Sequence, residues 1–289
     1  MHDSSVPRHS TYVYFSCPGS GFGARTQQHR NCAGANNLRV RIFNMGTPYH
    51  LSFVAFFGRT FDEYMQMFSI TPTELRKGRT LDCPSGPDSF IAEGLRQGLD
   101  VVGCDPMYQF DASEIHARGK ASIDATFEEL KKNPDSLHHK NLEEFTRNKY
   151  LALEAFAADY ALNKKHGRYV HASLPKLPFA DGSFDRVLTA NFLMLYACVA
   201  DGGLYDGKEF HLDFHLRSVD ELARVSKHEI RMSPTRAAST PWGEHPYLQA
   251  IMERLRSHKF TVELVPSVYD DGFGTNNHLL VARRSIASN

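Results

Sequence analysis

A chain of 289 residues, 42% of them hydrophobic, is long enough to bury a full core as one large domain or one domain with an appendage. Lys plus Arg and Asp plus Glu both number 33, so the formal charge is zero, and with no densely basic stretch a nucleic-acid partner is not favoured. No run of about 18 apolar residues occurs, which excludes an obvious membrane-spanning helix.

The five cysteines, Cys17, Cys32, Cys83, Cys104 and Cys198, are odd in number and lack CxxC or Cys/His finger spacing, so neither a complete disulfide framework nor a metal site is expected. The start, MHDSSVPRHS, has no basic and apolar signal-peptide pattern, and a cytoplasmic protein is expected. Residues 1–50 are rich in Ser, Gly, Asn, Arg and His and read as a flexible extension, with residues 38–43 as a weakly patterned edge strand. The folded domain is expected over 51–289. Its first part, LSFVAFFGRTFDEYMQMFSI, is apolar and aromatic, and Thr60 caps a helix in which Phe61, Tyr64, Met65 and Phe68 share a face. A second capped turn is expected at Thr71 or Thr73.

Residues 79–108 read as strand, turn, helix, strand. The first strand, 79–83, stops at the turn formers Pro84-Ser85-Gly86-Pro87. Asp88 or Ser89 then caps a helix with Phe90, Ile91, Leu95 and Leu99 at helical spacing, and Gly98 stops it. Residues 101–104 make a second buried strand that Asp105 ends, 23 positions after Asp82. That is close to the roughly 20-residue offset of a ribose-binding carboxylate in a nucleotide-binding βαβ unit. Backbone N–H groups at such a turn attract a polar or anionic ligand. The G-x-G-x-x-G of a dinucleotide site is absent, which disfavours a nicotinamide oxidoreductase.

A long crossover follows, with helices expected at 121–132 and 142–164, separated by Asn133-Pro134-Asp135, at the rim where a substrate lid would grow. His138-His139 reads as a solvated loop pair. A strand over 186–191 should deliver Asn191, Phe192 and Tyr196 to the cleft, since ligands in open α/β sheets bind beyond the carboxyl ends of the strands. Residues 210–215 lead into a helix over 219–225 and a strand over 229–232. His211, Asp213 and His215 share a face if their segment is extended; if it is helical, His211 and His215 lie together. A helix over 246–258, strands over 260–265 and 278–283, and the DDGFGTNN turn complete the chain as an antiparallel hairpin.

Two motifs in this order carry a family resemblance. Asp82-x-Pro84-x-Gly86-x-Asp88 resembles the D/E-x-G-x-G-x-G first motif of class I S-adenosylmethionine-dependent methyltransferases, with Pro84 and Asp88 in place of the outer glycines. Leu177-Pro178-Phe179 and Asp181-Gly182-Ser183-Phe184-Asp185 match the family's LPF and acidic Phe-Asp turn, and Glu221-Leu222-Ala223-Arg224-Val225 its ELxRV string. The chain looks closest to an uncharacterised bacterial group of small class I methyltransferases. The resemblance implies a Rossmann-like fold: a mostly parallel seven-stranded sheet with a reversed last strand, helices on both faces and a helical insertion after the second strand. It implies S-adenosylmethionine as cofactor, held by Asp82, Cys83, Pro84, Ser85, Gly86, Asp105, Pro106, Ser173, Leu174, Asn191 and Phe192. Ser173 stands where the family commonly has an adenine-binding acid. In the family a helix before the first strand often lies over the cofactor, which brings in Tyr64 and Met65, and Arg59 is placed to pair with the methionine carboxylate. Methyl transfer to a small molecule is the expected activity. Where the acceptor must lose a proton, His211, His215 or Tyr196 is the candidate base; a non-catalytic adenosyl-ligand-binding protein is the alternative.

Overall fold

β1 (Thr80–Asp82) and β2 (Val101–Asp105) are fully buried runs and pair in parallel, as expected for strands covered on both faces. The computed structural model describes residues 54–132, 141–237, 243–270, 272 and 278–284. The expected extension, the edge strand over 38–43, the Asn133–Asp135 break, His138-His139 and most of the DDGFGTNN turn lie outside them. With β3 (Tyr169–His171), β4 (Phe184–Ala190), β5 (Ser226–Ser233), β6 (Phe260–Pro266) and β7 (His278–Arg284), the two strands build one seven-stranded sheet in the order β3-β2-β1-β4-β5-β7-β6. β7 runs antiparallel to β5 and β6, and the other pairings are parallel. This is the Rossmann-like methyltransferase architecture with its reversed last strand.

The alternation of side chains along each strand divides the core in two. Val102, Cys104, Val187, Ile230, Leu280 and Ala282 face one layer, with α6 (Leu212–Val225) and α7 (Leu248–Ser257). Val101, Leu188, Ala190, Leu279 and Val281 face the other, with α1 (Phe61–Met67), α3 (Phe90–Arg96) and α5 (Leu142–Lys164). The short helix α2 (Pro72–Leu75) precedes β1, and α4 (Ala112–Lys132) pairs with α5 between β2 and β3. Among the described residues no helix is long and apolar enough to cross a membrane.

Three boundaries differ from expectation. α4 begins well before residue 121, because the Asp111 carboxylate accepts the Glu114 N–H (2.8 Å) and Ile115 is already buried. α6 begins at Leu212 rather than 219, since Phe214, His215, Ser218, Val219 and Leu222 form one buried stripe. β5 begins at Ser226, directly after the helix, where the Ser226 hydroxyl donates to the Glu229 carbonyl (3.0 Å). Glu229 accepts from Arg186 (2.7 Å), Arg231 (2.9 Å) and Arg283 (2.9 Å); burial opposes its charge, but the arginines win and hold its carboxyl down at about 2.

α1 is short, and its entry is fixed by a reciprocal cap. Thr60 Oγ1 accepts the Glu63 N–H (3.2 Å) while Glu63 Oε2 accepts the Thr60 N–H (2.9 Å). Thr60→Ala should therefore cost about 1 kcal/mol, read as a melting-point drop of roughly 2–4 °C; an unchanged melting point would show that the cap does not hold α1.

Candidate functional site

The turn after β1 is stitched to both neighbouring strands. Cys83 N–H donates to the Leu188 carbonyl (3.0 Å) on β4 and Ser85 N–H to the Cys104 carbonyl (3.0 Å) on β2. The chain then reverses at Gly86, whose φ of +62° is easy for glycine and strained for other residues. Gly86 N–H donates to Asp105 Oδ2 (3.0 Å), Met107 N–H donates to Asp105 Oδ1 (2.8 Å), and the Tyr108 hydroxyl donates to the Gly86 carbonyl (2.6 Å). The first turn and the acidic end of β2 are thus one hydrogen-bonded unit. It stands where the sheet order departs in opposite directions from β1, the usual ligand crevice of such sheets.

A cavity opens at this point. Its walls include Arg59, Tyr64, Pro84, Ser85, Gly86, Asp105, Asn191 and Phe192, eight of the residues the sequence nominated, drawn from the ends of β1, β2 and β4 and from α1. Asn191 is the first residue past β4, with φ +50° and its N–H donating to the Ser233 carbonyl (2.7 Å). Arg59 is largely buried and its Nε donates to the Tyr269 hydroxyl (3.1 Å). That hydroxyl in turn lies 3.2 Å from Glu63 Oε1, which is 3.5 Å from the buried Lys149 Nζ.

The other nominated residues sit elsewhere. Asp82 and Cys83 are buried behind the lining, Cys83 within the core. Pro106 begins the 3-10 turn after Asp105 and is not on the cavity wall. Ser173 forms a bridge with Lys176, and Leu174 packs in the core; neither lines the cavity. Met65 is half-buried in the second core layer. Tyr196 touches the cavity wall indirectly, its hydroxyl accepting the Ala55 N–H (3.0 Å).

The helical alternative holds for the histidines. His215 is buried, its Nε2 accepting the Met194 N–H (3.1 Å) and its Nδ1–H donating to the His211 carbonyl (3.0 Å). Burial holds its imidazole down at about 4, so it is a neutral ring that orients the 192–196 turn. His211 stands at the N-cap position of α6 with its ring paired to Asp201 rather than to the helix, and Asp213 is exposed and pairs with Arg217. Replacing His215 by phenylalanine leaves the Met194 N–H buried without an acceptor, and should cost about 2 kcal/mol, measured by urea denaturation; no loss would mean that the turn is held by other contacts.

Two features were not read from the sequence. One is Asp88. The Tyr64 hydroxyl lies 2.9 Å from Asp88 Oδ2 and 3.0 Å from Asp82 Oδ2, the Ser85 hydroxyl donates to Asp88 Oδ2 (3.1 Å), and Asp82 Oδ1 is buried without a hydrogen-bond partner. A phenol donates one proton, so two carboxylates cannot both accept it, and one carboxyl must itself carry a proton. Burial accordingly pushes Asp82 well above the usual carboxylate range and Asp88 to about 6. The other is the segment 54–58, which forms one side of the cavity. It is tied to the Ser122 hydroxyl through Phe56 N–H (2.9 Å), to Tyr196 through Ala55, and to Phe145 by an edge-on contact with Phe57 (6.2 Å). Only Gly58 could lie where it does: a Cβ there would be 2.3 Å from the Pro87 carbonyl oxygen.

The donor set suits a nucleoside-like ligand. Asp105 and the Gly86 turn stand among its wall residues together with Asn191 and Arg59, so a carboxyl, an amide and a guanidinium residue surround it. Two N–H groups favour the charged form of Asp105, but burial outweighs them and pushes it up to about 7. A hydroxyl donor from a ligand would therefore be welcome there. The cavity volume is only about 60 Å³, well short of the roughly 300 Å³ or more that enclose a cofactor-sized molecule. The residues fit such a group, and a ligand of that size needs more room than the cavity encloses.

No family model matches the chain. Magnesium protoporphyrin IX methyltransferase from Synechocystis PCC 6803, solved with bound SAM, is similar at TM-score 0.39 and 13% identity, covering 78% of this chain and 81% of that one. A 1,6-didemethyltoxoflavin-N1-methyltransferase from Burkholderia thailandensis is similar at TM-score 0.34 and 15% identity, covering 74% and 76%. These scores are low, and the fold assignment stands on the strand order. An uncharacterized protein of Methanocaldococcus jannaschii is 32% identical over 181 residues, which are 61% of this chain and 76% of the relative. That relative is archaeal and lends no support to a bacterial group. At this identity and coverage, the chain belongs to the same family as the M. jannaschii protein.

Proposed function

We propose that the chain is an S-adenosylmethionine-dependent methyltransferase acting on a small molecule. The observation that carries this reading is the convergence of Asp105, the Gly86 turn and Asn191 on one cavity at the carboxyl ends of β2, β1 and β4. Asp105 would take the ribose hydroxyls, the Pro84–Gly86 backbone the methionine portion, Arg59 its carboxylate, and Asn191 and Phe192 the edge of the reacting centre. When bound, the cofactor supplies a sulfonium-activated methyl group. The protein's share is then placement: holding donor and acceptor about 3 Å apart in line supplies much of the rate. Residues 54–58 and Phe192 exclude water from that contact. A net charge of zero and no dense basic stretch support a small acceptor over nucleic acid.

A second reading, an adenosyl-ligand-binding protein without transferase activity, is favoured by one observation. His215, His211 and Tyr196 are each engaged by neighbours, and none is a wall residue of the cavity. A transferase built this way would suit an acceptor that reaches the site already deprotonated or as a lone-pair nucleophile. Two experiments separate the readings. Calorimetry with S-adenosylmethionine and its demethylated product tests cofactor binding, and its absence overturns both. Transfer of tritiated methyl into a metabolite extract is expected of the enzyme; tight binding without transfer would favour the binder.

A further inference from the structure

The loop after β4 and the start of α6 bring together a second group of chemically capable side chains. Cys198, Asp201 and His211 place a sulfur, a carboxylate oxygen and a ring nitrogen within 4.8 Å of one another. Cys198 and Asp201 lie on one tight turn, with Asp201 N–H donating to the Cys198 carbonyl (2.8 Å) and Gly203 N–H to the same oxygen (3.2 Å). The far side of this loop is tied back through Val199 N–H to the Tyr205 carbonyl (2.9 Å) and Tyr205 N–H to the Ala197 carbonyl (3.1 Å). His211 comes from a different element, the N-cap of α6, and is anchored by the contacts of its carbonyl with His215. The Tyr247 hydroxyl hydrogen-bonds Asp201 from outside the trio, and the Phe210 N–H faces the Cys198 sulfur. Outer contacts of this kind orient metal ligands.

We propose that Cys198, Asp201 and His211 bind a divalent transition ion of the zinc class, clamping the loop after β4 to the start of α6. A thiolate and an imidazole select zinc, cobalt or nickel over magnesium or calcium, which prefer all-oxygen sites. One thiolate and one carboxylate neutralise the ion's charge. Tetrahedral zinc holds such atoms at about 2.0–2.3 Å, so the Asp201 Oδ2 to His211 Nδ1 pair, 2.8 Å apart, must open by roughly half an ångström. Both side chains have room to do so, at 32% and 52% exposed. Their exposure also gives the ion a way in to the buried sulfur. Three protein ligands leave a fourth position for water. The spacing C-x2-D-x9-H is not that of a zinc finger, and the three ligands meet only through the fold. The clamp would fix the loop that carries Phe192 and Tyr196, and it stands independently of any cofactor in the cavity.

The test uses the full chain, stripped with a chelator and titrated with Co²⁺. One equivalent should bind, with a sulfur-to-cobalt charge-transfer band in the near ultraviolet and visible bands of tetrahedral intensity. Cys198→Ser should lose the near-ultraviolet band. His211→Ala and Asp201→Asn, changes at partly exposed positions that leave the core intact, should each weaken Co²⁺ binding by about 100-fold or more, and Zn²⁺ should raise the melting temperature of the parent chain but not of these variants. No stoichiometric binding to the parent chain, or a near-ultraviolet band and affinity unchanged in His211→Ala, would overturn the proposal.

Discussion

Asp105→Ala should lower the affinity for S-adenosylmethionine by about 100-fold or more, because two charge-assisted hydrogen bonds to ribose hydroxyls, at roughly 1.5–3 kcal/mol each, disappear together. The pH dependence is the sharper signature. Asp105 is pushed by burial to about 7, and hydroxyl donors bind the ionised carboxylate better than the acid. Ligand binding should therefore release up to one proton, and affinity should rise about tenfold per pH unit below 7 and level off above it. Calorimetry across pH 5.5–8.5, in buffers of different ionisation enthalpy, measures both effects. Asp105→Asn should bind weakly with a flattened profile. A dissociation constant that ignores pH in the parent chain, or that survives Asp105→Ala, would remove the carboxylate from the site.

Buried carboxyls also give the unliganded protein a pH-dependent stability. An acid whose folded pKa is raised binds its proton longer in the native state than in the unfolded one, so stability falls as pH rises from the unfolded value, about 4, to the folded value. Asp88, at about 6, and Asp105, at about 7, both act in that window, and Asp82 acts in the same direction. Glu229, held at about 2, has the opposite sign, but its contribution is complete above about 4.5 and is lost only in acid. These carboxyls thus favour the unliganded chain near pH 5 over pH 8, a trend that ligand reverses in part at Asp105, while the imidazoles of His215 and His245, held by burial at about 4, oppose it below about pH 6.5.

How much of this was legible follows from which interactions are local. The βαβ unit at the front of the domain could be read because its turn, its helix spacing and the acidic strand end lie within 30 residues, and the reversed β7 because a terminal hairpin is a local pattern. The start of α6 was misplaced because the His-Asp-His alternation over 211–215 has a strand-like period, whereas Phe214 and Val219 bury at helical spacing only once α6 packs against the sheet. Ser173 and Leu174 come from motif position alone, and the Leu174 side chain packs in the core. Asp88 read as a helix cap, which in part it is, since its Oδ1 accepts the Phe90 N–H (2.8 Å). Its second role beside Asp82 depends on Tyr64, from an element outside the βαβ unit, and no spacing rule reaches that far. Likewise the strap at 54–58 is an unremarkable apolar run until Ser122, Phe145 and Tyr196, all distant in sequence, give it partners.

Gly58→Ala separates a strap that must move for ligand entry from one that is a fixed wall. The added carbon would sit 2.3 Å from the Pro87 carbonyl oxygen and 2.4 Å from the Asp88 backbone nitrogen, and main-chain atoms cannot rotate aside as a side chain can. The strap must lift, so the unliganded chain should lose about 3 kcal/mol, a melting-point drop of roughly 6–12 °C. If a cavity of about 60 Å³ has to be enlarged before a cofactor-sized ligand enters, part of that opening cost is already spent in the variant. A protein whose competent state is more populated binds with higher apparent affinity. Gly58→Ala should then bind S-adenosylmethionine at least as tightly as the parent chain, and saturating ligand should recover part of the lost melting temperature. Affinity that falls in step with stability would mean that the strap is part of the bound site as it stands, and that the ligand this cavity serves is far smaller than a nucleoside.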